Sequence, residues 1–307
     1  MPKVSVITAA YNHARFISES VESAQSQTYR DFEHIVVDDG STDNTTEVLQ
    51  PFQNRIRYLH QENQGVHAAL NTGMRAATGD YIALLDSDDV WLPNKLERQM
   101  RALEEEPDAG LAYCLAQVID AAGEVKTDRE VLGRPVSNPR DAYAELLRDN
   151  PVPALTAVFR RDCLHEVGFF NSDFKAMTDW DLWIRIADHW PIVFVPEVLA
   201  SYREHESNTW HLMVQNGRVE RERLMLLKNA SKSARRTRHA EKRAIVNSVF
   251  RELALKTAYG HWYRHRYAEA IRYALFALRL RPALVKDALL AIRPRFIPRL
   301  VVGERVK

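Results

Sequence analysis

Within the first ninety residues, short runs rich in β-branched residues alternate with longer amphipathic ones, and this alternation leaves few folds open. Val4 to Ala9, Phe32 to Val37, Ile56 to Leu59 and Tyr81 to Leu85 have the length and composition of buried strands. Between them, Ala14 to Gln27, Thr42 to Phe52 and Val66 to Ala77 read as helices, the second opened by a Ser/Thr/Asp cluster suited to capping. A β-α-β-α-β-α-β order predicts an α/β fold: a mostly parallel sheet, buried on both sides and covered by helices. Right-handed crossovers then bring the strand C-terminal ends to one edge. Beyond Asp89 the pattern loosens. A helix is predicted over Asn94 to Glu105 and a strand over Gly110 to Ile119, then a polar stretch, Asp120 to Arg140, that reads as a loop or a flap. A strand over Leu155 to Phe159, a helix over Asp179 to His189 and a strand over Ile192 to Leu199 complete this part.

The polar punctuation falls where a doubly wound sheet binds its ligand, in the crevice beyond the strand ends. Ala10-Tyr11-Asn12, Asp38-Asp39-Gly40-Ser41, Glu62-Asn63-Gln64-Gly65 and Asp86-Ser87-Asp88-Asp89 each follow one of the first four strands. The chain has neither GxGxxG nor GxxxxGK[ST], the two glycine-rich devices that cradle phosphate on backbone N–H groups. A carboxylate-rich site without them handles a diphosphate most simply through a divalent metal, Mg²⁺ or Mn²⁺, held by hard oxygen ligands. The same aspartates also suit a solvated, helix-capping turn, so spacing alone leaves both readings open.

Three segments together carry a resemblance: Val4-Ser5-Val6-Ile7-Thr8-Ala9-Ala10-Tyr11-Asn12, Val36-Val37-Asp38-Asp39-Gly40-Ser41-Thr42-Asp43 and Leu85-Asp86-Ser87-Asp88-Asp89. In order and spacing they are similar to a family 2 glycosyltransferase of the GT-A fold, over roughly residues 3 to 210. The resemblance implies inverting transfer of a sugar from a nucleotide-diphosphate donor, commonly a UDP-sugar. It implies nucleotide contacts from Thr8, Ala10, Tyr11, Asp39, Asn71, Asp86 and Ser87, with Tyr11 stacking on the base and Asp39 accepting a hydrogen bond from it. Tyr11 could instead plug the sheet edge, and Asp39 could cap the next helix. Asp88, in the DxD element, and His205, in Ser201-Tyr202-Arg203-Glu204-His205, are the implied ligands for Mn²⁺ or Mg²⁺. A departure stands at Ala69-Leu70-Asn71-Thr72-Gly73, where Leu70 occupies the place of a usual arginine; either another cation, Arg75 or His67, substitutes, or donor binding relies more on the metal.

Thr178-Asp179-Trp180-Asp181-Leu182-Trp183 resembles the family's ED-type motif, with Thr178 in the glutamate's place and Asp179 as the catalytic base. Inverting transfer needs one base to take the acceptor hydroxyl's proton. Asp181 competes, but two residues on it stands about 200° around a helix, so only one of the pair faces the cleft. Trp180 and Asp181 are candidate acceptor contacts, while Trp180 and Trp183 at helical spacing also suit a core.

The formal net charge of +1 conceals two opposite regions. Up to Gly217 there are 19 Lys and Arg against 34 Asp and Glu, a balance of −15; from Arg218 onward there are 23 against 7, a balance of +16. The expected division is a catalytic domain over 1–215 and a basic α-helical extension over 216–307. In the extension Ile271, Ala274, Leu275 and Leu278 form an apolar stripe with Arg272 and Arg279 interleaved. Its stripes are expected to pack, and its arginines to solvate or to meet an anionic membrane surface. No zinc finger or other nucleic-acid module accompanies Arg235, Arg236 and Arg238, so no nucleic-acid partner is expected. No run of about 18 uncharged apolar residues occurs and Met1 to Ile7 lacks the pattern of a signal peptide. Cys114 and Cys163 form no CxxC. A cytoplasmic enzyme, peripheral at the inner membrane face, is the expectation. Its partners are a nucleotide-sugar and a glycan or lipid-linked saccharide. A sugar-1-phosphate nucleotidyltransferase is the rival, weakened by the absence of a glycine-rich basic segment after the first strand.

Overall fold

The computed structural model describes residues 3–206, 208, 213, 218–236, 240–263, 267, 271 and 273–275. Its centre is an eight-stranded mixed sheet in the order β3-β2-β1-β4-β7-β6-β8-β5. Strands β1 (Val4–Ala10), β2 (Phe32–Asp38), β3 (Arg57–His60) and β4 (Tyr81–Leu84) run parallel, joined by α1 (Ile17–Gln25), α2 (Thr45–Leu49) and α3 (Val66–Ala76). The register pairs Ala10 with Asp38 and Asp38 with His60, so the loops after β1, β2 and β3 leave one edge together. Val4, Val6, Ile7, Ile35, Val36 and Val37 are fully buried, as strands covered on both faces must be. A Cβ on Gly73 of α3 would stand 2.5 Å from Ile7 Cγ2, so glycine is what lets this helix approach the sheet so closely.

The second half departs from simple alternation. The expected strand over Leu155 to Phe159 splits into a 3₁₀ turn, Ala154–Thr156, and β7 (Val158–Arg160). β7 runs antiparallel to both β4 and β6 (Leu111–Ile119), which makes the sheet mixed. β8 (Ile192–Arg203) pairs parallel to β6, and the short β5 (Val90–Trp91) closes antiparallel on β8. Helices α4 (Lys95–Glu105), α5 (Tyr143–Leu146), α6 (Cys163–Val167) and α7 (Thr178–Ala187) complete this part. The segment 120–140 is held by β-bridges Ala116–Leu132 and Ile119–Val125 and by Lys126 and Arg129 ion-paired to Glu204. Both cysteines are free thiols, buried in the interior.

The chain forms two compact units, Met1–Arg223 and Leu224–Lys307, a division that falls beyond the expected boundary at 215/216. Helix α8 (Arg218–Arg236) begins in the first unit. In the second, α9 (Ala240–Tyr263) buries Val246, Val249, Phe250, Ala254 and Ala258 along one stripe. Ile271 and Leu275, expected to pack, are about half exposed at 53% and 54%; Arg272, Leu278 and Arg279 lie outside the described residues. No helix among the described residues is long and apolar enough to cross a membrane.

Candidate active site

The crevice is built by loops that lock one another. Asp38 accepts from Ser41 N (2.9 Å), Thr46 Oγ1 (2.9 Å) and Tyr58 OH (2.8 Å), which ties the start of α2 to the end of β2. Gly40 has φ +75°, and a Cβ there would meet Asn63 N at 2.9 Å; only glycine allows the two loops this close. Asp39 is buried and accepts from Gln61 Nε2 (2.7 Å), Gln64 N (3.0 Å) and Gly65 N (2.7 Å). It therefore shapes the 61–65 loop, and a base contact would add to three bonds already made. Tyr11 is 44% exposed at the end of β1, where a nucleobase could stack.

Other expected nucleotide residues are engaged inside the protein. Thr8 Oγ1 lies 3.0 Å from His34 Nε2, and burial holds that imidazole neutral by pushing its pKa down to about 3. Ala10 is buried and its carbonyl accepts from Asp39 N. Asn71 uses both ends of its amide on the Phe170 backbone, at 3.0 Å each. Leu70 is buried in α3; Arg75 lies over the Phe169 ring, and His67 Nε2 bonds to Thr178 Oγ1 (2.8 Å) and Lys175 O (3.2 Å). Lys175 Nζ, which the sequence did not single out, stands 3.7 Å from where a Cβ on Gly65 would lie.

At the end of β4 the acidic segment is clamped by Arg203, itself 1% exposed. Its backbone N donates to Asp89 Oδ1 (2.8 Å), its Nε to the Asp88 carbonyl (2.7 Å) and its Nη2 to Glu19 on α1 (2.6 Å). This positions Asp88 Oδ2 2.9 Å from His205 Nε2, with the His205 ring stacked on Phe16. Two adjacent ligands of one octahedral cation, each at about 2.1 Å, sit about 3 Å apart, so this pair has the spacing a divalent metal needs. Burial, with the charges of Asp88 and Asp179 nearby, pushes Asp86 up to about 7. Bringing these carboxylates together is costly without a cation.

Asp179 lies in the first turn of α7. Burial raises it to about 6, against the Trp180 backbone N–H and Asn150 Nδ2, which donates to Asp179 Oδ2 at 3.2 Å. The neighbours expected as acceptor contacts are engaged inside the protein. Trp180 is buried and its indole N–H donates to Leu146 O; Trp183 is buried edge-on to Phe159. Asp181 is buried and ion-paired to Arg185 at 2.8 Å. The apolar spacing of this helix serves the core.

Two contributors were missed. His13 stands beside the acidic segment, its Nδ1 2.6 Å from Ser87 Oγ. Glu222 of α8, 4% exposed, accepts from Lys175 N (3.0 Å), Ala176 N (2.7 Å) and Met177 N (3.1 Å), immediately before α7. A side-chain cap of this kind contributes about 0.5–2 kcal/mol, and here it holds the turn that presents Asp179. A His between Asn12 and α1, or an acid 45 positions from its partner, has no periodic signature.

Residues 5–168 match the family model "Glycosyl transferase family 2". A glycosyltransferase of Rickettsia felis is 34% identical over 66% of this chain, and the chain spans only 34% of that relative's length. An Escherichia coli protein, WfgD, named as a UDP-Glc:alpha-D-GlcNAc-diphosphoundecaprenol beta-1,3-glucosyltransferase, is 34% identical over 60% of this chain and 69% of its own. Among solved structures, the mannosyltransferase PcManGT of Pyrobaculum calidifontis, in complex with GDP-Man and Mn²⁺, superposes with a TM-score of 0.62 at 22% identity. That match covers 95% of this chain and 81% of PcManGT and speaks to the GT-A fold. With more than half of its length matched by the family model, this chain belongs to glycosyltransferase family 2.

Proposed function

We propose that the chain moves a sugar from a nucleotide-diphosphate donor, with UDP the first base to test, to a hydroxyl of a glycan or lipid-linked saccharide, with inversion. The observation that carries this reading is the meeting of Asp86, Asp88, His205 and Asp179 around one crevice. Asp88 and His205 fit a divalent cation, which when bound supplies positive charge against the departing diphosphate. Tyr11 offers a face to the base, and Asp39 keeps the 61–65 loop in register beside it. Asp179 takes the acceptor proton at a carboxylate oxygen while Asn150 holds the other side of that group. The E. coli relative's name, with a UDP-glucose donor and a diphosphoundecaprenol-linked acceptor, supports these classes, and the Mn²⁺ in the PcManGT complex supports the metal.

A nucleotide-sugar panel with Mn²⁺ or Mg²⁺ tests it. Nucleoside diphosphate release from one donor, abolished by EDTA and restored by added metal, is expected. Turnover unaffected by EDTA would refute the metal, and pyrophosphate release from a nucleoside triphosphate would refute the reaction class.

We assign the catalytic domain to 1–223, since Glu222 serves α7, and the remainder to a basic helical extension. Its positive balance and the half-exposed Ile271 and Leu275 support docking to the inner face of an anionic membrane. Cosedimentation with anionic but not neutral vesicles is expected; equal binding to both, or to neither, removes this assignment.

A further inference from the structure

His13 is held from both sides. Asn12 adopts φ +54°, in the left-handed region that asparagine tolerates better than most residues. Its side-chain carbonyl accepts from Thr42 N (2.7 Å) and Asp43 N (3.3 Å), and its own N–H donates to Ser41 Oγ (3.0 Å). The next N–H, that of His13, donates to Thr45 Oγ1 (3.1 Å), and the His13 carbonyl accepts from Phe16 N (2.9 Å) and Ile17 N (3.0 Å) at the start of α1. The turn therefore sets the direction of the imidazole.

That direction is toward the acidic segment. His13 Nδ1 is 2.6 Å from the buried Ser87 hydroxyl, between Asp86 and Asp88. The His13 and His205 rings lie edge to face, 6.0 Å between centroids. One ligand atom each from His13, Asp88 and His205 falls within 4.8 Å of the others. Around an octahedral ion with bonds of about 2.1 Å, ligand atoms are about 3 Å apart when adjacent and about 4.2 Å when opposite. A spread of up to 4.8 Å is near the opposite spacing, so modest side-chain movement would let the three groups share one ion.

We infer that His13 is a third protein ligand of the crevice's cation, through the ring nitrogen that Ser87 leaves open. Its consequence is metal selectivity. One carboxylate with two imidazoles is a poor set for Mg²⁺, which prefers oxygen and keeps its waters, and a better one for Mn²⁺ and later first-row ions. The Ser87 hydroxyl fixes the ring and its tautomer, as the outer partners of metal-bound histidines do. The inference rests on the reading that Asp88 and His205 hold a cation here. It adds a residue that lies 75 positions before Asp88 and belongs to a different loop.

The test is Mn²⁺ titration of the full chain, with and without UDP, followed by electron paramagnetic resonance. Wild type is compared with His13→Ala, His13→Asn, His205→Ala and Asp88→Asn. Asparagine keeps a donor near the Nδ1 position for Ser87 but has no second ring nitrogen, so it separates a lost ligand from a collapsed turn. Both His13 variants are expected to bind Mn²⁺ about 10–100-fold more weakly. They should also lose part of the preference for Mn²⁺ over Mg²⁺ measured by competition. The nitrogen couplings of the bound Mn²⁺ should fall from two imidazoles to one. Wild-type affinity and selectivity in His13→Asn, with a single imidazole that only His205→Ala removes, would overturn the His13 assignment and leave the Asp88–His205 site standing. No Mn²⁺ binding by wild type in the presence of UDP would overturn the site itself.

Discussion

Asp179→Asn is expected to lower kcat by about 10²–10⁴-fold, the range associated with a positioned general base, while affinity for the nucleotide-sugar donor stays near that of wild type. Asparagine is nearly isosteric and keeps an acceptor for Asn150 Nδ2, so the turn before α7 and its three bonds to Glu222 should persist. What is lost is the ability to take a proton. The pH profile offers an independent check. Burial raises Asp179 to about 6, and a base works only when ionised, so its active fraction falls about tenfold for each pH unit below that value. The kcat/KM of wild type should therefore fall on the acid side with a limb near pH 6. The variant's residual activity should lack the contribution of this group. Titration calorimetry with UDP and single-turnover transfer assays separate the two effects. A variant with wild-type kcat would remove Asp179 from the chemistry, and one that fails to bind donor would make it a nucleotide residue.

The parallel half of the fold was legible because burial on both faces writes itself as continuous runs such as Val4–Ile7 and Ile35–Val37. The first two helices, α1 and α2, begin three residues later than expected for a local reason. His13 to Phe16 form hydrogen-bonded turns before Ile17, and the Asp43 carboxylate accepts from Thr45 N, so regular helix starts beyond each polar cluster. The antiparallel β7 was not legible as such. Its direction follows from the chain crossing between β4 and β6, which composition cannot express. The loops that converge were readable as loops, since strand order places their ends together. Which side chains of the adjoining strands and helices turn inward was not. Thr8, Asn71, Trp180 and Asp181 sit at motif positions, yet their polar groups bond to His34, Phe170, Leu146 and Arg185. His13 and Glu222 show the converse, since contacts with residues 74 and 46 positions away bring them to the site. The −15 and +16 balances divide the chain by charge at Gly217, yet Glu222, on the basic side of that line, caps the turn before α7.

Lys95→Met is expected to stabilise the protein by about 1–3 kcal/mol at neutral pH. Lys95, the first residue of α4, is fully buried, and its ammonium has no hydrogen-bond partner among the described residues. The Cys114 thiol favours the charged form slightly, and the Trp91 ring lies 4.0 Å from Nζ to centroid, a contact contributing about 1–2 kcal/mol when desolvated. Burial lowers the ammonium from 10.5 to about 8, which corresponds to about 3 kcal/mol against the charged form. The sign follows from proton counting. Between about pH 8 and 10.5 the unfolded chain binds a proton that the folded chain has released, so wild-type stability rises with pH through this window. Below about pH 8 both states are protonated and the full cost is present. Methionine has a similar shape, no charge to desolvate and keeps contact with Trp91. Its advantage in urea or thermal unfolding should thus be largest at pH 7 and fall below about 1 kcal/mol near pH 10. An advantage that does not change with pH would mean that packing, not charge, separates the two side chains. A variant less stable than wild type at pH 7 would mean that the indole face offsets the whole desolvation of the ammonium.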